Sequence, residues 1–291
     1  MSRKRIGAHF STAGGSWTAI NRAVAAGANT LQIFSSSPRT WKSGTVGEGD
    51  AAKMHALRAE HDVGPLAIHA SFLINLASQT ESIRDSSVAA LRAEVQQALA
   101  LGAEYLVLHP GSWKGLTREE GLRLAVQGVE RAVENLPWQV EPGALPKFHV
   151  LIENMPGAEF SLGGSLEQVA ELVERLKPCA PVAVCLDTCH LHVAGYDIVT
   201  AEGYAATMAQ VASTVGTETV KVWHCNDAKA PFASKLDRHE HIGEGTVGSE
   251  AFRRLLHDPR FDHSAFIAET PAEEEGDNER NVMTLRVLSA G

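Results

Sequence analysis

The sequence predicts a (β/α)₈ barrel. Three observations carry this. Eight short runs rich in Val, Ile, Leu and Phe alternate with segments of helical period, the pattern of a parallel sheet built from strand–helix units. The length, 291 residues, is near the ~250 residues usual for that architecture plus insertions. Six successive runs end in a histidine or a carboxylate, and in such a barrel the C-terminal rim of the strands carries the chemistry.

In chain order, RIGAHF (5–10) and TLQIFS (30–35) are short and mostly apolar, as strands buried on both faces are. LAIHA (66–70) is the third strand. The helix expected over 82–103 follows it, with Val88, Leu91, Val95 and Leu99 on one face and a glycine near its end. YLVLHP (105–110) precedes the helical segment LTREEGLRLAVQGVERAVENL (116–136). HVLIEN (149–154) comes after one of the two longest gaps, and SLEQVAELVERL (165–176) is its helix. There Ser165 and Gln168 have the spacing of a capping box. VAVCLD (182–187), VKVWHCN (220–226) and, after the other long gap, SAFIAET (264–270) complete the set. No linker divides the chain, so one domain over 1–291 is expected.

Hydrophobic content of 44% and charged content of 21% fit a soluble globular protein. No run approaches the ~18 apolar residues of a membrane span. The basic start MSRKR is followed by IGAHFS, which is no signal-peptide core. The four cysteines, at 179, 185, 189 and 225, form no C-x-x-C pair and suit a reducing compartment. A cytoplasmic protein is expected. The net charge of −9 argues mildly against nucleic acid, but acids that hold divalent ions are neutralised by them.

The strands end at His69, His109, Glu153, Asp187, His224 and Glu269. Side chains two apart share a face. Counting back gives Ala67, Val107, Leu151, Cys185, Val222 and Ile267 pointing inward, with Ile68, Leu108, Ile152, Leu186, Trp223 and Ala268 under the helices. Each residue alone has an ordinary reading as a core histidine or a helix cap, but six at equivalent rim positions predict one shared metal site. Asp237 and His239, two apart in KLDRHEH, face one way in an extended segment, and His190 follows Asp187 by three. Such His and carboxylate donors suit Zn²⁺ or Mn²⁺. Nine donors exceed one tetrahedral ion, so two or three ions are implied, which suits phosphate-ester displacement. Cys185 lies one layer below Asp187 and reads as core; Cys189 reads as packing. A weaker motif, GEGTVG before SEAFRRLL, has the form of a phosphate site at a helix N-terminus.

These residues carry a resemblance. GAHFSTAGG (7–15), HASFLINL (69–76), HPGS (109–112), IEN (152–154), LDTCH with AGYD (186–197), HCNDAK (224–229), LDRHEHIGEG (236–245) and ET (269–270) together resemble the endonuclease IV family of metal-dependent apurinic/apyrimidinic (AP) endonucleases. The resemblance implies three zinc ions. His69, His109 and Glu153 would hold the first, Glu153 bridging to a second on Asp187, His224 and Glu269. His190, Asp237 and His239 would hold the third. It implies hydrolysis of the phosphodiester 5′ to an abasic site in double-stranded DNA, with Glu153 and Glu269 catalytic, and in some members cleaning of blocked 3′ ends. It implies that Arg39, Phe72 and Leu73 enter the DNA. Arg39, Lys42, Lys114, Lys229, Lys235 and Arg238 follow strand ends and would form a local basic face. A monomer with no obligate protein partner and no membrane association is expected, acting on nucleoid DNA. The nearest alternative is a metal-dependent sugar isomerase or epimerase on the same barrel; such enzymes have no use for a third cluster or for a Phe72–Leu73 wedge. A metal-loaded DNA-binding protein without catalysis is a second alternative, against which an open metal site argues.

Overall fold

The computed structural model describes residues 4–41, 44–136 and 147–290; Lys42 lies outside them. The strands are β1 (Arg5–His9), β2 (Thr30–Phe34), β3 (Leu66–His69), β4 (Tyr105–Leu108), β5 (His149–Glu153), β6 (Val182–Asp187), β7 (Val220–His224), β8 (Asp227–Ala228), β9 (His239–Glu240) and β10 (Ala265–Ala268). Among the described residues β1 to β7 and β10 form one closed barrel, β1 pairing in parallel with both β2 and β10. The eight strand runs read from the sequence are these eight strands. The two-residue strands β8 and β9 pair antiparallel outside the barrel and were not expected.

The barrel is filled as strand parity dictates. Ala67, Val107, Leu151, Cys185, Val222 and Ile267 pack together inside it. Ile68, Leu108, Ile152, Leu186, Trp223 and Ala268 belong to the separate outer core beneath the helices. On β1 the inward position is Gly7, where a Cβ would lie 1.9 Å from the Thr30 carbonyl oxygen of β2; a side chain there would force the two strands apart.

The helices are α1 (Thr18–Ala25), α2 (Glu48–His61), α3 (Glu81–Ala100), α4 (Arg118–Val133), α5 (Leu166–Leu176), α6 (Thr188–Ala194), α7 (Ala201–Thr214), α8 (Ser249–His257) and α9 (Asp277–Ser289). A full capping box sits on α4, between Thr117 and Glu120. On α5 the expected box is only half formed. Ser165 accepts from the Gln168 amide at 3.4 Å, but the Gln168 side chain accepts from Gly164 instead. Helix α6 starts directly at the end of β6, with Asp187 as its N-cap. Among the described residues no helix is long and apolar enough to cross a membrane.

Candidate metal centre

Four of the expected ligands are the last residues of their strands: His69, Glu153, Asp187 and His224. His109 and Glu269 are the first residues beyond β4 and β10. Both strands are shorter than the apolar runs suggested, because the chain leaves the sheet where it turns to the rim. His190 comes from the first turn of α6, and Asp237 and His239 from the segment that runs into β9.

The structure brings all nine together. Donor atoms of His69, His109 and Glu153 lie within 4.8 Å of one another, as do those of Glu153, Asp187, His224 and Glu269. These are the first two sets implied by the resemblance. The third differs in detail. His190 and His239 group with Asp187, while Asp237 and His239 group with Cys189. Asp237 still links the two imidazoles, its oxygens 3.3 Å from His190 Nε2 and 3.1 Å from His239 Nε2. Asp187 therefore belongs to two sets.

Main-chain contacts fix which nitrogen three of the histidines present. A carbonyl oxygen only accepts, so Nδ1–H donates from His69 to Ala70 at 2.7 Å, from His190 to Asn154 at 2.8 Å and from His239 to Glu269 at 3.0 Å. Each leaves Nε2 as the ring nitrogen that faces the carboxylates. The carboxylates are oriented in turn. Asp187 accepts from the His190 amide at 2.8 Å and from the Asn226 side chain at 2.6 Å. Asn226 also accepts from the Glu269 amide at 2.7 Å, and the Asn154 side chain accepts from the Asp187 amide at 2.7 Å. Asn154 and Asn226 are buried, and they stand within the motifs IEN and HCN that sequence reading used only as a signature. Gln32 and His9 also reach the site; His9 stands within the GAHFSTAGG motif, and Gln32 carried no sequence signal.

The electrostatics favour a cation. Burial disfavours charge on every group here, yet Asp187, Asp237 and Glu153 raise His190 to about 10 against it. Burial likewise opposes charge on His239, which Asp237 and Asp187 raise to about 9. Burial would raise Glu153, but His224 and His109 hold it well below the usual carboxylate range. Among the described residues, the buried Glu153 Oε2, His190 Nε2 and His239 Nε2 meet no hydrogen-bond partner, a state that costs free energy unless another electrophile fills it. Imidazole and carboxylate donors with unused lone pairs fit divalent zinc-type ions. The thiols do not compete. Burial pushes Cys185 up to about 12, and it lies inside the barrel core. Burial raises Cys189 as well, and its thiol donates to the Arg238 carbonyl.

A cleft of about 520 Å³ opens over the cluster, lined also by Phe34, Phe72 and Arg238. Phe72 is 60% exposed, its ring centroid 5.3 Å from that of Phe34 and 5.6 Å from that of His69. Leu73 is partly exposed beside it, and Arg39 is exposed on the neighbouring loop. The two loops are tied: Ser71 Oγ donates to the Pro38 carbonyl at 2.9 Å. Lys114, Lys229, Lys235 and Arg238 are exposed. The GEGTVG segment is not a free anion site. Its amides at Gly243, Val247 and Gly248 donate to the buried Asp227 carboxylate, at 2.9, 2.8 and 3.1 Å. The chain supplies its own anion.

Residues 20–287 match the xylose isomerase-like TIM barrel family. A probable endonuclease 4 of Solibacter usitatus is 43% identical over 98% of this chain and 97% of its own length. One of Chloroflexus aggregans is 35% identical over 98% and 97%. The crystal structure of endonuclease IV from Thermus thermophilus superposes with a TM-score of 0.85 at 33% identity, covering 98% of both chains. A D-tagatose 3-epimerase-like protein superposes at 0.70 with 19% identity, a likeness of fold alone. The chain belongs to the endonuclease IV family, on the barrel that family shares with the xylose isomerase-like proteins.

Proposed function

We propose that the protein is an AP endonuclease that works as a monomer on nucleoid DNA in the cytoplasm. It hydrolyses the phosphodiester 5′ to an abasic site in duplex DNA and leaves a 3′-hydroxyl and a 5′-deoxyribose phosphate. It does so with three zinc ions: one on His69, His109 and Glu153, one on Glu153, Asp187, His224 and Glu269, and one on His190, Asp237 and His239. Mn²⁺ suits the same donors at one or more sites, and removal of blocked 3′ ends needs no further group.

One carboxylate carries the reading. Glu153 Oε2 faces His69 at 3.3 Å and His109 at 3.1 Å, while Oε1 faces His224 at 3.1 Å and His190 at 3.4 Å. A buried carboxylate whose two oxygens serve opposite donor sets is placed to bridge. When bound, the ions supply Lewis acidity, lowering the pKa of a water and neutralising phosphate charge. Glu153 and Glu269 would orient that water by accepting hydrogen bonds from it. Asp237, whose side chain is 45% exposed, stands at the open edge where a phosphate arrives. Phe72 and Leu73 fill the gap left by the missing base, and an unpaired sugar costs less to extrude than a paired nucleotide. Arg39, Lys114, Lys229, Lys235 and Arg238 meet phosphates and carry no base information. A sugar isomerase would need neither the exposed Phe72 nor the third donor set.

The test is a duplex with a single abasic-site analogue beside the same duplex intact. Incision of the first alone, 5′ to the lesion and lost on prolonged chelation, is the expected result. No incision by fully zinc-loaded protein would falsify the proposal. Glu269→Gln should abolish incision while DNA binding persists, and Leu73→Ala should weaken lesion binding at unchanged zinc content.

A further inference from the structure

His224 is held differently from the three histidines fixed by main-chain carbonyls. Its Nδ1 faces Glu269 Oε2 at 2.9 Å and Glu153 Oε1 at 3.1 Å. Its Nε2 points away from them, to Gln32 Oε1 at 2.9 Å. Gln32 is fully buried on β2 and reaches His224 across the barrel interior, since β1 and β10 separate β2 from β7 in the sheet. The other end of its side chain, Nε2, donates to Glu269 Oε1 and lies 3.2 Å from His9 Nδ1.

The orientation of this amide follows from donor chemistry. An ionised carboxylate only accepts, so the end meeting Glu269 is the NH₂. The second amide proton goes to His9 Nδ1. Oε1 is then left to accept, which requires the Nε2–H tautomer of His224 and leaves Nδ1 as the lone pair. We propose that Gln32 is a positioning residue for the donor set of Glu153, Asp187, His224 and Glu269: one buried amide sets which nitrogen His224 offers and how the Glu269 carboxylate is turned. This rests on the metal-dependent reading above. Gln32 touches no substrate. Partners of this kind typically change metal retention or activity by about 10- to 100-fold when removed.

The test is read without DNA. Zinc-loaded protein is mixed with a chromophoric chelator and the release of each ion is timed. Gln32→Met nearly keeps the volume and removes all three hydrogen bonds. It should release one ion about 10- to 100-fold faster and shift the ¹⁵N resonances of one histidine ring. It should also lower kcat for incision with no matching rise in KM. Gln32→Glu keeps an acceptor for His224 but sets a second carboxylate against Glu269. It should keep the ring resonances and still release an ion faster. Wild-type release rates in both variants overturn the proposal, as do unchanged ring resonances in Q32M. If Q32M does not fold, the release rate of Q32E decides. A wild-type protein that retains zinc but leaves abasic duplex uncut would count against the proposed function alone.

Discussion

Glu94 on α3 shows how much one buried carboxyl can do. It accepts from the Ser71 amide at 3.1 and 3.2 Å, directly behind Phe72. Burial pushes it up to about 7. A raised carboxyl keeps its proton in the folded chain while the unfolded chain has already lost one. The contribution of Glu94 to stability therefore falls as pH rises from about 4.5 to about 7 and is flat above that. Glu94→Gln removes the titration. In urea unfolding of the metal-free protein, the variant should match wild type near pH 4.5 and gain on it up to neutrality, by at most about 3 kcal/mol. A difference independent of pH would refute this. The rim positions were legible residue by residue because a strand has a period of two, so one rim residue fixes the face of the whole strand. Gln32, Asn154 and Asn226 were not. An inward amide has no meaning until closure of the barrel shows which groups it meets.

Among the elements, the eight barrel strands were legible as apolar runs, whereas α6 and the β8–β9 ribbon were not. The apolar period of α6 is interrupted by His190 and His192 within only seven residues, and two-residue strands have no period at all. The ribbon matters because the chain between its strands carries Asp237. Asp227, in β8, holds the segment that follows β9 through the Gly243, Val247 and Gly248 amides. The sequence showed a glycine-rich turn before a helix and suggested a phosphate; only the tertiary structure reveals a carboxylate already seated there. Hydrogen bonds to a charged acceptor contribute roughly 1.5–3 kcal/mol each, so the loop is held firmly. Asp227→Ala should strand those amides and free the loop. Zinc content after gel filtration should fall by the ion on His190, Asp237 and His239, and proteolysis should quicken within residues 229–242. Full zinc content with an unchanged digestion pattern would show that the loop is held by something else.

At the scale of the whole molecule, the nine donors are drawn from positions 69 to 269, so the proposed ions would tie six barrel strands to one another. An ion that binds only the folded chain stabilises it by mass action, about 4 kcal/mol at a free concentration of 1,000 Kd. Chelation should lower Tm by roughly 10 °C for each ion lost from a chain of this size, read by calorimetry of loaded and stripped protein. An unchanged Tm would mean that the ions bind the folded chain no better than the unfolded one. The same spread of donors has a temporal meaning. Glu269 stands just past the final barrel strand, and chains emerge from the ribosome N-terminus first. A nascent or truncated chain that lacks this strand can hold no complete second set. A hydrolytic centre built on that set would thus be the last thing the barrel finishes, and a half-made copy would not become a stray nuclease.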